Sequence, residues 1–287
     1  MPVNPITITD LRITPVAIAD PPIRSSYGLH QPYALRTIVE LVSGDGAVGV
    51  SETYGGEEPM KALETLRDHI VGADPYRLTG TLSSLVQGRE YGGDASQTYL
   101  VPGENPLDAT ARTYAAIESG CLDLIGKSVG VPVCDLIGGR VRDKVPFSAY
   151  PFYKHAGGGG EGEDVRPDKY GECLTPETLV AQVVKMREEY GFGSIKFKAG
   201  VLPPEEEIET VRGLYRELGP EVPLRIDPNS AWTVDTSVRV GQELAEELGR
   251  GGYLEDPTAT IDGMAEVRRR LLAEGIETPL ASNVAVT

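Results

Sequence analysis

Two lysines close one short apolar segment. In Ser194-Ile195-Lys196-Phe197-Lys198-Ala199-Gly200 they stand two apart, so on a strand both side chains share one face. Oxygen-bearing residues close the next three segments of this kind. Asp227 ends Leu224-Arg225-Ile226-Asp227, Glu255 ends Tyr253-Leu254-Glu255, and Asn283 follows Leu280-Ala281-Ser282. Asp, Glu and Asn supply hard oxygen ligands with a summed charge of −2, a set suited to Mg²⁺ with water or substrate oxygens completing the shell. Two neighbouring lysines facing the same place are desolvated and close to one another and to a cation. Each effect lowers a lysine pKa, so one of them can serve as a base near neutral pH. A divalent cation beside a base is the arrangement for abstracting a proton α to a carboxylate.

Taken singly, each of these residues has an ordinary explanation. Asp-Pro and Glu-Asp-Pro are turn formers, Lys-x-Lys is a common solvated strand edge, and an Asn before a loop is a turn residue. Their common spacing outweighs that. Asp227, Glu255 and Asn283 recur every 28 residues, and Lys198 precedes Asp227 by 29. One βα unit of a barrel occupies roughly 31 residues. The positions therefore read as equivalent ends of successive strands, arranged around one mouth, where barrels and open α/β sheets place their chemistry.

The elements needed to hold them are present in the pattern. After about Val145, strands at Lys144–Tyr153, Ser194–Lys198, Leu224–Asp227, Gly252–Asp256 and Pro279–Asn283 alternate with helices at Pro176–Tyr190, Pro204–Leu218, Val234–Leu248 and Ile261–Glu274. Thr175 is the expected N-cap of the first helix. Short connections and βα repetition mark a parallel sheet or barrel. Residues 1–140 have a different rhythm and read as a mixed α+β unit. A strand is expected over Ile6–Ala17, a hairpin over Leu35–Leu41 and Ala47–Ser51 turning at Ser43-Gly44-Asp45-Gly46, and helices over Pro59–Val71 and Asp108–Ser128. The Gly157–Gly160 run lacks a GxGxxG register, opens no helix and is followed by acidic residues, so it reads as a flexible flap and not as a nucleotide cradle.

Composition bounds the partners. With 287 residues, 40% hydrophobic and 24% charged, the chain is an ordinary globular protein able to bury a large core. A net charge of −16 disfavours phosphate backbones, so nucleic acid is not an expected partner and an anionic substrate needs a local cationic feature. Three cysteines with no CxxC, and no signal peptide at the N-terminus, lead to the expectation of a reduced, cytoplasmic setting. No apolar run of membrane-spanning length occurs, so no membrane partner is expected.

With these residues in view, the chain resembles the enolase superfamily, and within it the glucarate dehydratase group. The resemblance rests on Lys196 and Lys198 in SIKFKAG, Asp227 in RIDPNSAW, Glu255 in LEDP and Asn283 in ASNVAVT. It implies an α/β fold: an N-terminal α+β capping domain, 1–140, followed by an incomplete TIM-type (β/α) barrel, 141–287, holding the first five βα units. It implies Lys198 as α-proton base, assisted by Lys196, and Mg²⁺ held by Asp227, Glu255 and Asn283. It further implies substrate contacts from His30 in SYGLHQPY, Tyr150 and Phe152 in SAYPFY, and Asn229 two residues after the first ligand.

The implied activity is that of a hydro-lyase: Mg²⁺-dependent dehydration of an aldarate such as D-glucarate or L-idarate to a keto-deoxy acid. The chain stops soon after the fifth barrel strand. The group's His–Asp dyad belongs to strands six and seven, so a truncated protein with little dehydration activity of its own is expected. The open barrel edge favours a homo-oligomer. Two alternatives stay open: a catalytically inactive homologue acting as scaffold or partial barrel, and another acid-sugar dehydratase or racemase of the same superfamily.

Overall fold

The computed structural model describes residues 6–77, 80, 106–249 and 251–282. Two compact units are present. The first contains a three-stranded sheet made, in this spatial order, of β1 (Ile8–Ala19), β4 (Tyr33–Ser43) and β5 (Val48–Tyr54). β4 and β5 pair antiparallel, with Val42 opposite Val48 across the expected turn. Helices α1 (Glu57–Ile70) and α2 (Pro106–Val129) supply Leu63, Ile70, Ala116, Ile117, Cys121 and Leu124 to a core shared with Ile8, Leu11, Val39 and Leu41 of the sheet. A Cβ on Gly49 would lie 2.1 Å from the Gly120 carbonyl oxygen, so only glycine allows β5 to sit this close to α2.

The second unit carries the repeating pattern. Its five-stranded parallel sheet is made of β6 (Ser148–Ala149), β7 (Ser194–Lys198), β8 (Leu224–Asp227), β9 (Tyr253–Glu255) and β10 (Leu280–Ala281), adjacent in chain order. Helices α3 (Pro176–Tyr190), α4 (Pro204–Leu218), α5 (Val234–Glu243) and α6 (Ile261–Ala273) alternate with these strands. Sequence sets their ends. Thr175 caps α3 in a reciprocal capping box, Pro176 opens it, and Gly191 at φ 70° stops it. Thr233 and Thr260 cap α5 and α6. Apolar residues of the strands, Ile195, Phe197, Leu224, Ile226 and Leu254, pack with Leu179, Val183, Val211, Leu214, Val238 and Val267 of the helices. The expected strand over Lys144–Tyr153 is shorter than its composition suggests. Only Ser148 and Ala149 pair as strand residues, with Ser194 and Ile195.

Residues Ala19–Tyr33 belong to the second unit, although they interrupt the chain of the first. They form a small antiparallel hairpin, β2 (Ile23–Ser25) and β3 (Gly28–His30), which the apolar pattern does not announce. The Arg24 amide donates to the Tyr153 carbonyl at 2.7 Å.

The glycine run is fastened, in contrast to the loose flap its composition suggests. Lys154 and Cys173 close the loop as an antiparallel bridge. Lys154, only 4% exposed, places its ammonium 3.1 Å from Asp168. Asp168 also accepts from the amides of Gly157 (2.7 Å) and Gly171 (2.9 Å), and the Gly160 amide donates to the Pro32 carbonyl (2.9 Å). Burial tends to raise the Asp168 carboxyl, but these amides and Lys154 outweigh it and hold it down at about 2.

Removing Asp168 leaves a buried ammonium without its counter-charge, so Asp168→Ala should destabilise the protein by about 3 kcal/mol in urea unfolding at neutral pH. Because the folded pKa lies below the unfolded one, this stabilisation is complete above about pH 5 and fades as pH falls towards 2. The gap between wild type and variant should shrink correspondingly at pH 2.5, and a gap independent of pH would contradict the assignment.

Candidate active site

The parallel register brings the strand-end residues together. Lys198 on β7 stands opposite Asp227 on β8, and Glu255 on β9 opposite Ala281 on β10. Backbone bonds continue this stitching past the strand ends. The Lys198 amide donates to the Pro151 carbonyl (3.1 Å), that of Ala199 to Asp227 (2.9 Å), that of Ser230 to Asp256 (2.7 Å), and that of Asp256 to Ala281 (2.9 Å).

On this frame four charges meet. The Lys196 ammonium reaches Glu255 Oε1 at 2.5 Å and Asp227 Oδ2 at 3.2 Å. Lys198 Nζ reaches the same Asp227 Oδ2 at 2.8 Å and donates to Asn229 Oδ1 at 2.5 Å. Asp227 Oδ1 accepts the Asn229 amide at 3.0 Å, and Tyr150 Oη donates to Oδ2 at 3.3 Å. The Tyr150 ring lies 5.1 Å from Lys196 Nζ and 5.9 Å from Lys198 Nζ, with the Phe152 ring 4.7 Å from it. Asp227 is fully buried, and Glu255 and Lys198 are 5% and 6% exposed.

The two lysines respond differently to this setting. Burial pulls Lys196 down, but Glu255 and Asp227 together outweigh it, and its ammonium ends above the ordinary lysine range. Burial also pulls Lys198 down. Asp227 opposes this and the nearby Lys196 charge reinforces it, leaving Lys198 below the ordinary range. The expectation that both amines are depressed therefore describes Lys198 and not Lys196.

Of the residues singled out from sequence, Lys196, Lys198, Asp227, Glu255, Asn229 and Tyr150 are in mutual contact, and Phe152 packs on Tyr150. His30 is paired with Ser25, its Nε2 2.9 Å from Ser25 Oγ. Its hairpin nevertheless reaches the strand ends, where Tyr27 Oη donates to the Asn229 carbonyl at 3.5 Å. Asn283 lies outside the described residues.

A layer beneath the site goes beyond what the motifs suggest. Arg225 Nη1 donates to Ser148 Oγ (2.7 Å) and Ser194 Oγ (3.4 Å), and its guanidinium lies 5.3 Å from the Tyr253 ring. The signal is present in the spacing: Ser194 lies two before Lys196, Arg225 two before Asp227, and Tyr253 two before Glu255, so all share the face of the chemistry.

Among the described residues no three His, Cys, Asp or Glu side chains gather as a metal cage. Two do converge. Asp227 and Glu255 both hold the Lys196 ammonium, which shows that their oxygens can serve one cation. Hard carboxylate oxygens with few protein ligands suit Mg²⁺, which retains water or takes substrate oxygens.

This combination, a two-lysine strand end facing carboxylates on the next two strands of a parallel sheet, marks an α/β protein with a charged site at its strand ends. The comparisons agree with it. Residues 178–286 match the enolase C-terminal domain-like family, and residues 8–138 match the mandelate racemase/muconate lactonizing enzyme N-terminal domain. The chain belongs to the enolase superfamily.

A probable glucarate dehydratase of Streptomyces coelicolor is 41% identical over 98% of this chain and 64% of its own length. A Thermobispora bispora enolase crystallised with magnesium and formate is 44% identical, with a TM-score of 0.84 over 98% of this chain and 64% of its own. One from Pseudomonas fluorescens with magnesium, potassium and tartrate is 38% identical, with a TM-score of 0.83 over 99% of this chain and 65% of its own. The chain thus spans somewhat less than two-thirds of the length of these relatives. Among the described residues, no helix is long and apolar enough to cross a membrane.

If Asp227 and Glu255 bind the ion, Mg²⁺ should raise the thermal midpoint. At a free concentration about 100-fold above its Kd the ion adds about 2.7 kcal/mol of stability. Asp227→Asn and Glu255→Gln should each remove most of that rise. An equal rise in all three proteins, followed by calorimetry, would place the ion elsewhere.

Proposed function

We propose that this chain carries the proton-abstracting part of a Mg²⁺-dependent acid-sugar dehydratase, a carbon–oxygen lyase whose substrate is an aldarate such as D-glucarate or L-idarate. The observation that carries the reading is the buried Lys198 amine, held below the ordinary lysine range beside the Asp227–Glu255 carboxylates that converge on one cationic position. The substrate class is supported by likeness to the Streptomyces coelicolor probable glucarate dehydratase and by the tartrate, a small hydroxy diacid, bound in the Pseudomonas fluorescens structure.

In this reading Asp227, Glu255 and Asn283 hold Mg²⁺, which when bound supplies positive charge for the substrate carboxylate as negative charge moves onto it. Lys198, deprotonated, takes the α-proton. Asn229, within hydrogen-bond reach of its Nζ, keeps that amine aimed. Lys196 remains an ammonium and faces the substrate carboxylate. Tyr150 stays protonated, because burial and the charges of Asp227 and Glu255 push its phenol up, so it is a donor. Tyr150 and Phe152 line the substrate's approach, and His30 contacts it from the hairpin. Once the α-proton has gone to Lys198, the β-hydroxyl leaves as hydroxide, which takes up that proton from the Lys198 ammonium through solvent to become water, and the resulting enol tautomerises to the keto-deoxy acid.

The test is exchange of the α-protons of D-glucarate in D₂O with Mg²⁺, followed by proton NMR. Lys198→Ala should slow exchange by about 10²–10⁴-fold. The wild-type rate should rise with pH as Lys198 loses its proton, with a midpoint below the ordinary 10.5. Exchange indistinguishable between wild type and Lys198→Ala at saturating Mg²⁺ and glucarate would remove the catalytic reading and leave the scaffold one.

A further inference from the structure

Lys198 is followed at once by a tight loop, and that loop hangs on a side chain with no assigned role. Glu207, in the first turns of α4, is completely buried. Its carboxylate accepts three successive backbone amides: Gly200 to Oε2 at 3.0 Å, Val201 to Oε1 at 2.8 Å and Leu202 to Oε1 at 3.0 Å. Burying a carboxylate is costly unless its charge is compensated, and here the three amides offset only part of that cost: burial still holds the Glu207 carboxyl above its ordinary range. An apolar side chain would fill the same space without that cost, so helix packing alone does not explain an ionisable group at this position.

The far side of the loop rests on the site. The Ala199 amide donates to the Asp227 carbonyl at 2.9 Å. Gly200, at φ +78°, comes so close to Pro228 that a Cβ would stand 2.4 Å from its carbonyl oxygen. The loop is therefore held between the Glu207 carboxylate and the backbone of the strand end that carries Asp227. Lys198 lies two residues before the first tethered amide, and its own amide is already bonded to Pro151. With both flanks fixed, so is the backbone from which the Lys198 side chain extends.

We infer that Glu207 is a positioning residue: by gathering the amides of Gly200, Val201 and Leu202 it sets the place of the Lys198 amine relative to Asp227 and Asn229. Neither lysine nor carboxylate of the site is touched by it. Loss of one acceptor leaves a buried amide without a partner and lets the loop relax. A shift of about 1 Å at a reacting group can cost about 10²-fold in rate.

This inference rests on the proposed role of Lys198 as base, and the experiment separates the two. D-glucarate α-proton exchange with Mg²⁺ is measured for wild type, Lys198→Ala, Glu207→Gln, Glu207→Asp and Thr210→Val. Gln keeps the length but replaces one acceptor oxygen by an amide group. Asp keeps both oxygens but shortens the tether by a methylene. Thr210, also fully buried in α4, bonds Tyr153 Oη and is the control for a merely destabilising change in the same helix.

Both Glu207 variants should lose about 10- to 100-fold in exchange at saturating glucarate. Their half-saturating glucarate and their Mg²⁺-induced rise in thermal midpoint should stay near wild type, showing a folded protein with its carboxylate pair intact. Thr210→Val should lower the midpoint without a comparable loss of exchange. Either Glu207 variant, folded and within twofold of wild-type exchange, overturns the inference, as does an equal loss in Thr210→Val. If Lys198→Ala itself leaves exchange unchanged, it is the underlying reading of the site that fails.

Discussion

Two ammonium groups and two carboxylates share one nearly dry patch at the ends of three strands, and the rest of the second unit is arranged to make that tolerable. An ion moved from water into a protein costs several kcal/mol unless well-placed partners compensate it. Here each partner comes from a different strand: Lys196 and Lys198 from β7, Asp227 from β8, Glu255 from β9. The pairing therefore depends on the register. A slip of β8 by one residue would turn Asp227 towards the apolar helices and Ile226 towards the lysines. Four charges that sum to zero when assembled thus also select the strand alignment that assembles them.

The same alternation divides the sheet by chemistry. One face presents Ile195, Phe197, Leu224, Ile226 and Leu254 to the helices and supplies the hydrophobic core. The other presents Ser194, Lys196, Lys198, Arg225, Asp227, Tyr253 and Glu255. Parallel strands are usually apolar on both faces. This polar face is sustained by bonds within it, with Arg225 linked to the Ser148 and Ser194 hydroxyls below the charged cluster. The charged groups sit at the strand ends, where backbone bonds from Lys198, Ala199, Ser230 and Asp256 tie each strand end to a neighbouring segment.

Much of this is legible from sequence because it depends on short periods. The two-residue period places Lys196 with Lys198, and the 28-residue interval places Asp227 with Glu255. Both reflect backbone geometry, which sequence spacing encodes directly. What escapes depends on partners distant in the chain. The Ile23–His30 hairpin has strands of three residues, too short for a hydrophobic pattern, and the Arg24–Tyr153 backbone bond ties it to the second unit. The glycine run reads as loose by composition, but Asp168 and Pro32 hold it through backbone amides, which leave no mark on residue type. Lys144–Tyr153 has strand composition throughout, yet only Ser148 and Ala149 pair in strand register.

The divergence of the two lysines is the part that residue types alone could not supply. Identical side chains two residues apart share a strand, a face and a neighbouring carboxylate. Lys196 bridges two carboxylates, and their attraction exceeds its loss of hydration. Lys198 has one carboxylate and the neutral Asn229 oxygen, is more deeply buried, and feels the Lys196 charge, so for it the loss of hydration wins. Deeper burial, one contacting carboxylate in place of two, and a like charge alongside together separate a cation that keeps its proton from an amine that gives it up more readily. Environments that push neighbouring titratable groups in opposite directions are how a site acquires a fixed charge and a base from like residues. In this protein the Lys196 side of that asymmetry traces to Glu255, one strand further along the sheet from Asp227, where it makes the tightest contact of the Lys196 ammonium.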